Sequence, residues 1–223
     1  MTRTEILSRY RHLRAITNYH QEAILSFVSD TTLLEHAKRL GLVVDRTIVT
    51  GSDSEMALVY DLAFHTAREG RSSAVERYLR ATPQQPGSDD ALVLEALHHA
   101  RFSLWKVERR HDAAGLVVVD MLRDRQEWLM DENLIATVSD GAVFAARVLE
   151  PEDFLMSTGV IVPMSTDLVE RVLHGSRAWR HGSYEQAAAD PRFATAVYRA
   201  AIASDTMARV VYAPVGSVRD TKG

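Results

Sequence analysis

Between Phe102 and Met164 the chain carries five short apolar runs, FSLWKV, GLVVVDML, QEWLM, AVFAARVL and FLMSTGVIV, each ended by turn-forming residues. The breaks are HDAAG, Arg123-Asp124-Arg125, Ser139-Asp140-Gly141 and Pro151-Glu152-Asp153. β-Branched and aromatic residues recur in the runs, which predicts short strands rather than helices. Strands this short and apolar must hide their edges, and antiparallel pairing into a closed or nearly closed barrel does so. An SH3-like or OB-like barrel is the expected form.

Helical periodicity lies on both sides. Ile6, Tyr10, Leu13, Thr17, His20, Ile24 and Phe27 recur at spacings of four and three, predicting one helix over about Thr4–Phe27. Asp30 can cap a second helix that Gly41 stops. Ser52 and Glu55 have the spacing of a capping box for a third, which Gly70 would end. Ser72 or Ser73 starts a short helix before Pro83, and Ser88 or Asp89 starts another through Leu97. Val93, Leu97, Ala100, Leu104 and Val107 would allow that helix to continue, but the aromatic content after Arg101 favours a break there. Beyond Pro163, Thr166 or Asp167 caps a helix as far as Gly175, Tyr184–Ala189 makes a helical turn, and Asp190-Pro191 opens a helix with a face to about Val210. The tail VGSVRDTKG reads as mobile. The fold class is therefore α+β: an N-terminal helical region (1–101), a small β-barrel (102–164) and a C-terminal helical region (165–223) packing on the N-terminal helices.

Composition narrows the function. A net charge of −4 gives no strong pull toward nucleic acid or an anionic membrane. There are no cysteines, which removes disulfides, thiolate zinc sites and a thiol nucleophile. No apolar run approaches a membrane span and the N-terminus is too polar for a signal peptide, so a cytoplasmic location is the expectation. The chain has no glycine-rich phosphate loop, GxSxG elbow or HExxH helix.

FSLWKVERR, GLVVVDMLRDRQEWLMDE and GAVFAARVLEPEDFLMSTGVIVP together resemble a β-barrel module of uncharacterised bacterial proteins, some of which carry the SEC-C zinc motif. The cysteines of that motif are absent here, so the resemblance implies a barrel of unassigned role and carries over nothing about metal. The flanking helices resemble those of an uncharacterised bacterial family of similar length, and that resemblance implies no activity.

Among candidate site residues, His20 stands first, because an ionisable group on an apolar stripe must be paired or kept neutral. The bland alternative is a core histidine bonded to a carbonyl or to Thr17. Asp61 and His65, four apart on one helix, can place a carboxylate against an imidazole; a plain surface pair has the same spacing. Glu95 and His98 have the Glu-x-x-His spacing of di-iron bundles, which also arises by chance. Arg101, Lys106, Arg109 and Arg110, interleaved with Phe102 and Trp105, would suit single-stranded nucleic acid if the aromatics were exposed, and serve as a core strand if they are not.

Two functions follow as expectations. The first is a non-catalytic binding or regulatory protein, taking a protein or small-molecule partner through the barrel or the barrel–helix cleft. The second is a metal-dependent hydrolase or oxidoreductase with ligands from His20, Asp61, His65, Glu95 and His98. An uncovered helix stripe would add a homodimer contact.

Overall fold

In the computed structural model of the chain, residues 2–67, 70–175, 184–204 and 206–209 are described. Helix α1 (Arg3–Leu25) opens with a capping box: Thr2 Oγ1 accepts the Glu5 N–H, and the Glu5 carboxylate accepts the Thr2 N–H. Its buried residues are Ile6, Tyr10, Leu13, Thr17, His20 and Ile24, the stripe that periodicity predicts except for Phe27, which lies beyond the helix end at Leu25. Helix α2 (Asp30–Leu40) is capped by Ser29 rather than Asp30, which becomes its first helical residue, and Gly41 ends it in the left-handed region. A two-residue turn at Asp45-Arg46, both with positive φ, joins β1 (Val43–Val44) to β2 (Thr47–Ile48).

Ser52 caps α3 (Asp53–His65), but the Glu55 carboxylate takes the Gly51 N–H instead of completing a box with Ser52. The helix ends at His65, short of Gly70. A full box does form at Ser73 and Glu76, opening α4 (Ala74–Ala81), and Ser88 caps α5 (Asp89–His98). The chain then breaks into strand at Arg101, as the aromatic content predicts.

Strands β3 (Arg101–Arg110), β4 (Leu116–Asp120), β5 (Arg125–Met130), β6 (Val143–Leu149) and β7 (Leu155–Met164) pair in the order β3-β4-β5-β7-β6 and back to β3. All neighbours are antiparallel except β5 and β7, which run parallel at Leu129–Leu155 and Met130–Met156. The all-antiparallel expectation is corrected at that pair. A helix not foreseen from the sequence, α6 (Glu132–Thr137), connects β5 to β6, and its crossover lets β7 return beside β5. Asp131 caps it, and Leu134 enters the strand-lined core beside Trp105, Leu116, Val118, Leu129 and Phe144.

The outward faces of the strands are covered by helices. Phe102, Leu104, Ala145, Val160 and Val162 pack with Leu58 and Leu62 of α3, Leu168 and Val172 of α7 (Thr166–Gly175), and Phe193, Val197 and Tyr198 of α9 (Pro191–Ala203). Met130, Leu149, Phe154 and Met156 pack with α1, α4 and α5. Full burial of one such leucine or phenylalanine contributes about 1.5–3 kcal/mol, so these two clusters hold the helices against the strands, around the strand-lined third. Helix α8 (Tyr184–Ala189) precedes α9, which stops at Ala203, before a 3-10 turn over Thr206–Arg209. Val210, the expected limit of that face, and the tail from Val215 lie outside the described residues. Among the described residues no helix is long and apolar enough to cross a membrane.

Candidate functional site

All three segments of the chain meet at one buried carboxylate. Asp61 on α3 accepts three hydrogen bonds from Arg147 on β6, Nε to Oδ1 at 3.0 Å and to Oδ2 at 3.3 Å, and Nη2 to Oδ2 at 3.1 Å. Tyr198 on α9 donates its hydroxyl to Oδ2 at 2.9 Å, and Thr158 on β7 donates to Oδ1 at 3.5 Å. Asp61, Arg147 and Tyr198 are 4, 8 and 0% exposed, so a charged pair is held inside the protein with both carboxylate oxygens hydrogen-bonded. The Arg147 guanidinium also lies over the Phe102 ring, 5.7 Å from its centroid.

The backbone makes room for this group by an irregularity. The register between β6 and β7 shifts between Ala146 and Val148, so that Arg147 lies opposite a bulge that contains Thr158 and Gly159. Gly159 has φ of 105°, a conformation that side-chain-bearing residues rarely adopt. Gln21 on α1 donates to the Thr158 carbonyl, satisfying an acceptor that the bulge frees from the ladder. Just before it, Ser157 donates to Asp131, and Arg14 on α1 donates to the Ser157 carbonyl at 2.6 Å. Helix α1 is thus tied to β7 along the whole irregular stretch.

Beside the bulge a cleft of about 310 Å³ opens between α1, α3 and β7. Leu25, Ala57, Tyr60, Phe64 and Val160 make its apolar walls, while Gln21, Glu22, Asp61, His65 and Thr158 supply polar groups. His65 Nε2 is buried at this wall with no hydrogen-bond partner among the described residues. The expected Asp61–His65 contact is therefore not a hydrogen bond: the carboxylate is occupied by Arg147, Tyr198 and Thr158. Burial first, and then the Arg147 charge, push the His65 imidazole down to about 3, so the ring is neutral near pH 7. For Asp61, burial alone would raise the carboxyl, but the Arg147 charge and the hydrogen bonds from Arg147 and Tyr198 outweigh it and hold the group below its ordinary range.

The other anticipated residues lie in separate sets. His20 Nδ1 meets the Tyr78 hydroxyl at 2.8 Å and Nε2 meets Asp90 Oδ1 at 3.1 Å. A carboxylate only accepts, so Nε2 carries the proton and Nδ1 accepts from Tyr78. Thr17 turns away to the Leu13 carbonyl instead of pairing with His20. Glu95 and His98 are both exposed, and Glu95 pairs with His99 rather than His98. Among the described residues no group of three His, Asp or Glu side chains is arranged to hold a metal ion. The five candidate ligands are thus spread over separate places, with His20 on Tyr78 and Asp90, Asp61 on Arg147, and Glu95 on His99.

On β3, Arg101 is paired with Glu127 and Glu150, Arg109 with Asp112, and Arg110 with the Ile135 and Val138 carbonyls, while Lys106 is exposed. Phe102 and Trp105 are 5 and 0% exposed and offer no face on which a base can stack.

Arg147, Thr158, Gly159 and Tyr198 were not singled out from the sequence. The usable signal was Arg147, a lone charge inside the apolar run VFAARVL, together with Gly159, a glycine inside a strand.

No curated protein and no solved structure matches the chain. A family model does match over residues 4–202, nearly the whole length, and the chain accordingly belongs to the Family of unknown function (DUF7986).

Proposed function

We propose that this protein is a non-catalytic binding protein whose recognition site is the cleft between α1, α3 and β7. The observation that carries the reading is His65 Nε2, buried and unpartnered at the wall of a cleft whose other polar groups lie on Gln21, Glu22, Asp61 and Thr158. A buried ring nitrogen without a partner is costly, and a ligand group that bonds it repays that cost. The fitting ligand is a small, mainly apolar molecule with one hydrogen-bonding group, and a volume of about 310 Å³ is at the lower end of such sites. Acid–base chemistry is poorly served here. Asp61 is held as an anion with its oxygens occupied, and His65, with its depressed proton affinity, is a weak base near pH 7.

The strand order supports an OB-like rather than an SH3-like reading of the barrel. The first strand pairs with the second and fourth, the third runs parallel to the fifth, and a short helix joins the third to the fourth. Its contribution to recognition is the β7 bulge, which frames the cleft; the β3 surface, with its aromatics buried, contributes little.

The test is a screen of small aromatic and aliphatic alcohols and amides on the full chain, read by thermal shift and by amide chemical shifts. Hits are expected to move the Ala57, Tyr60 and Gly159 amides, and Ala57→Phe, which fills the cleft, is expected to abolish them. Hits that persist in Ala57→Phe, or chemical turnover of a bound hit, would overturn the reading.

A further inference from the structure

A second cleft, of about 630 Å³, lies between α2, the end of α3 and α4. Four arginines line it, Arg39, Arg71, Arg77 and Arg80, against a single carboxylate, Glu35, among the described lining residues. Arginine density on a surface is not in itself a site, but two buried features distinguish this one.

Arg77 is part-buried and fixed in place. Its Nη1 donates to the Ser72 carbonyl and its Nη2 to the Phe27 carbonyl, and no carboxylate pairs with it among the described residues. Carbonyls orient a guanidinium without cancelling its charge, so a full positive charge stands at the cleft awaiting a counter-ion.

His36 is 5% exposed and lines the same cleft, and its buried Nδ1 has no hydrogen-bond partner among the described residues. Burial, and then the neighbouring Arg39 charge, keep the ring neutral, which leaves one ring N–H to donate. A neutral donor in the same cleft as the Arg77 guanidinium suits an anionic oxygen ligand, and the guanidinium repels a cation.

We propose that this cleft binds a small molecule through one or more phosphoryl groups, with the arginines clamping the anionic oxygens and the His36 ring donating to one of them. Planar guanidiniums match phosphoryl oxygens in geometry as well as in charge. The volume lies within the small-ligand range, and the site is a concave pocket, not an extended groove. The chain as a whole, at net charge −4, lacks the long-range attraction that a nucleic-acid polyanion would exploit. The site is separate from the Asp61–His65 cleft and does not depend on the function assigned there.

The probes are inorganic pyrophosphate and tripolyphosphate, titrated into the full chain at constant ionic strength and followed by calorimetry and by the ring-nitrogen signals of the histidines. Saturable binding is expected, tighter for tripolyphosphate, with the His36 ring signals shifting and those of His65 unchanged. Replacing the exposed Arg39 and Arg71 together (Arg39→Gln, Arg71→Gln) removes two charge-assisted contacts and should weaken binding by about tenfold or more. Lys106→Gln, on the barrel surface, should leave binding unchanged. The proposal is overturned if binding does not saturate, if Lys106→Gln weakens it as much as the arginine pair does, or if the His36 signals stay still. Tighter binding of a short single-stranded oligonucleotide than of tripolyphosphate would likewise overturn it, in favour of a nucleic-acid surface.

Discussion

Arg147 and Asp61, 86 residues apart in the chain, form a two-point ion pair in which Nε and Nη2 of one reach Oδ1 and Oδ2 of the other at 3.0 and 3.1 Å. Removing one partner strands the other as a buried charge, while removing both leaves polar and apolar groups that can pack. Arg147→Met should therefore cost about 3–5 kcal/mol of unfolding free energy, and Asp61→Asn combined with Arg147→Met distinctly less. Urea unfolding of the single and double variants checks this. Equal losses in the two would mean that the stranded charge is not what destabilises.

Acid should weaken the protein well before its carboxylates protonate. The His65 imidazole sits at about 3 in the folded chain against 6.5 ordinarily, and His36 at about 4. Between those values the unfolded chain binds a proton that the folded chain does not, so stability falls as pH drops below 6.5. Each histidine adds a slope of up to about 1.4 kcal/mol per pH step of one. Asp61, depressed in the folded state, adds its own loss only below its ordinary 3.8. Urea midpoints measured from pH 7.5 down to about 4.5 should decline in the wild type and flatten in His65→Leu. An unchanged slope in that variant would refute the assignment.

Gly115 cannot accept a side chain. Its φ is 89°, and a Cβ would stand 2.5 Å from the Leu129 carbonyl and 2.7 Å from Met130 Sδ. Backbone on a neighbouring strand cannot retreat as a flexible side chain can. Gly115→Ala should cost more than about 1 kcal/mol and lower the melting temperature, whereas Gly87→Ala, with a similar φ but open space, should cost less. Calorimetry of the two variants gives the comparison.

Tyr78→Phe should leave His20 Nδ1 buried without its donor, at about 1–3 kcal/mol. Since Asp90 still holds Nε2, the ring should keep its tautomer, and nitrogen chemical shifts of His20 should show Nδ1 unprotonated in both forms. A tautomer change would show that Tyr78, not Asp90, sets the proton's position.

The helices were legible because their causes are local. The α1 stripe, the Gly41 stop and the serine starts at Ser52, Ser73 and Ser88 each depend on residues within a turn or two. Where the reading failed, the decision was equally local but finely balanced: Ser29 displaced Asp30 as a cap, and Glu55 chose the Gly51 amide over that of Ser52. Helix α6 escaped because six residues are too few to display a stripe. His20 sits on an apolar stripe, where an ionisable group must be paired or kept neutral, and its partners, Tyr78 and Asp90, are far along the chain.

What the sequence by itself determined is most of the elements: where the longer helices begin to within a residue or two, which of their faces are apolar, and the five strand-forming runs between Phe102 and Met164. Tertiary structure alone decided that β7 would return parallel to β5, that a bulge at Thr158-Gly159 would face Arg147, and that Asp61, Arg147 and Tyr198 would meet. The physical reason is one of range. Capping, periodicity and turn chemistry act over a few bonds and leave their pattern in neighbouring residues, whereas a buried charge finds its counter-ion only after strands and helices have packed and water has been excluded.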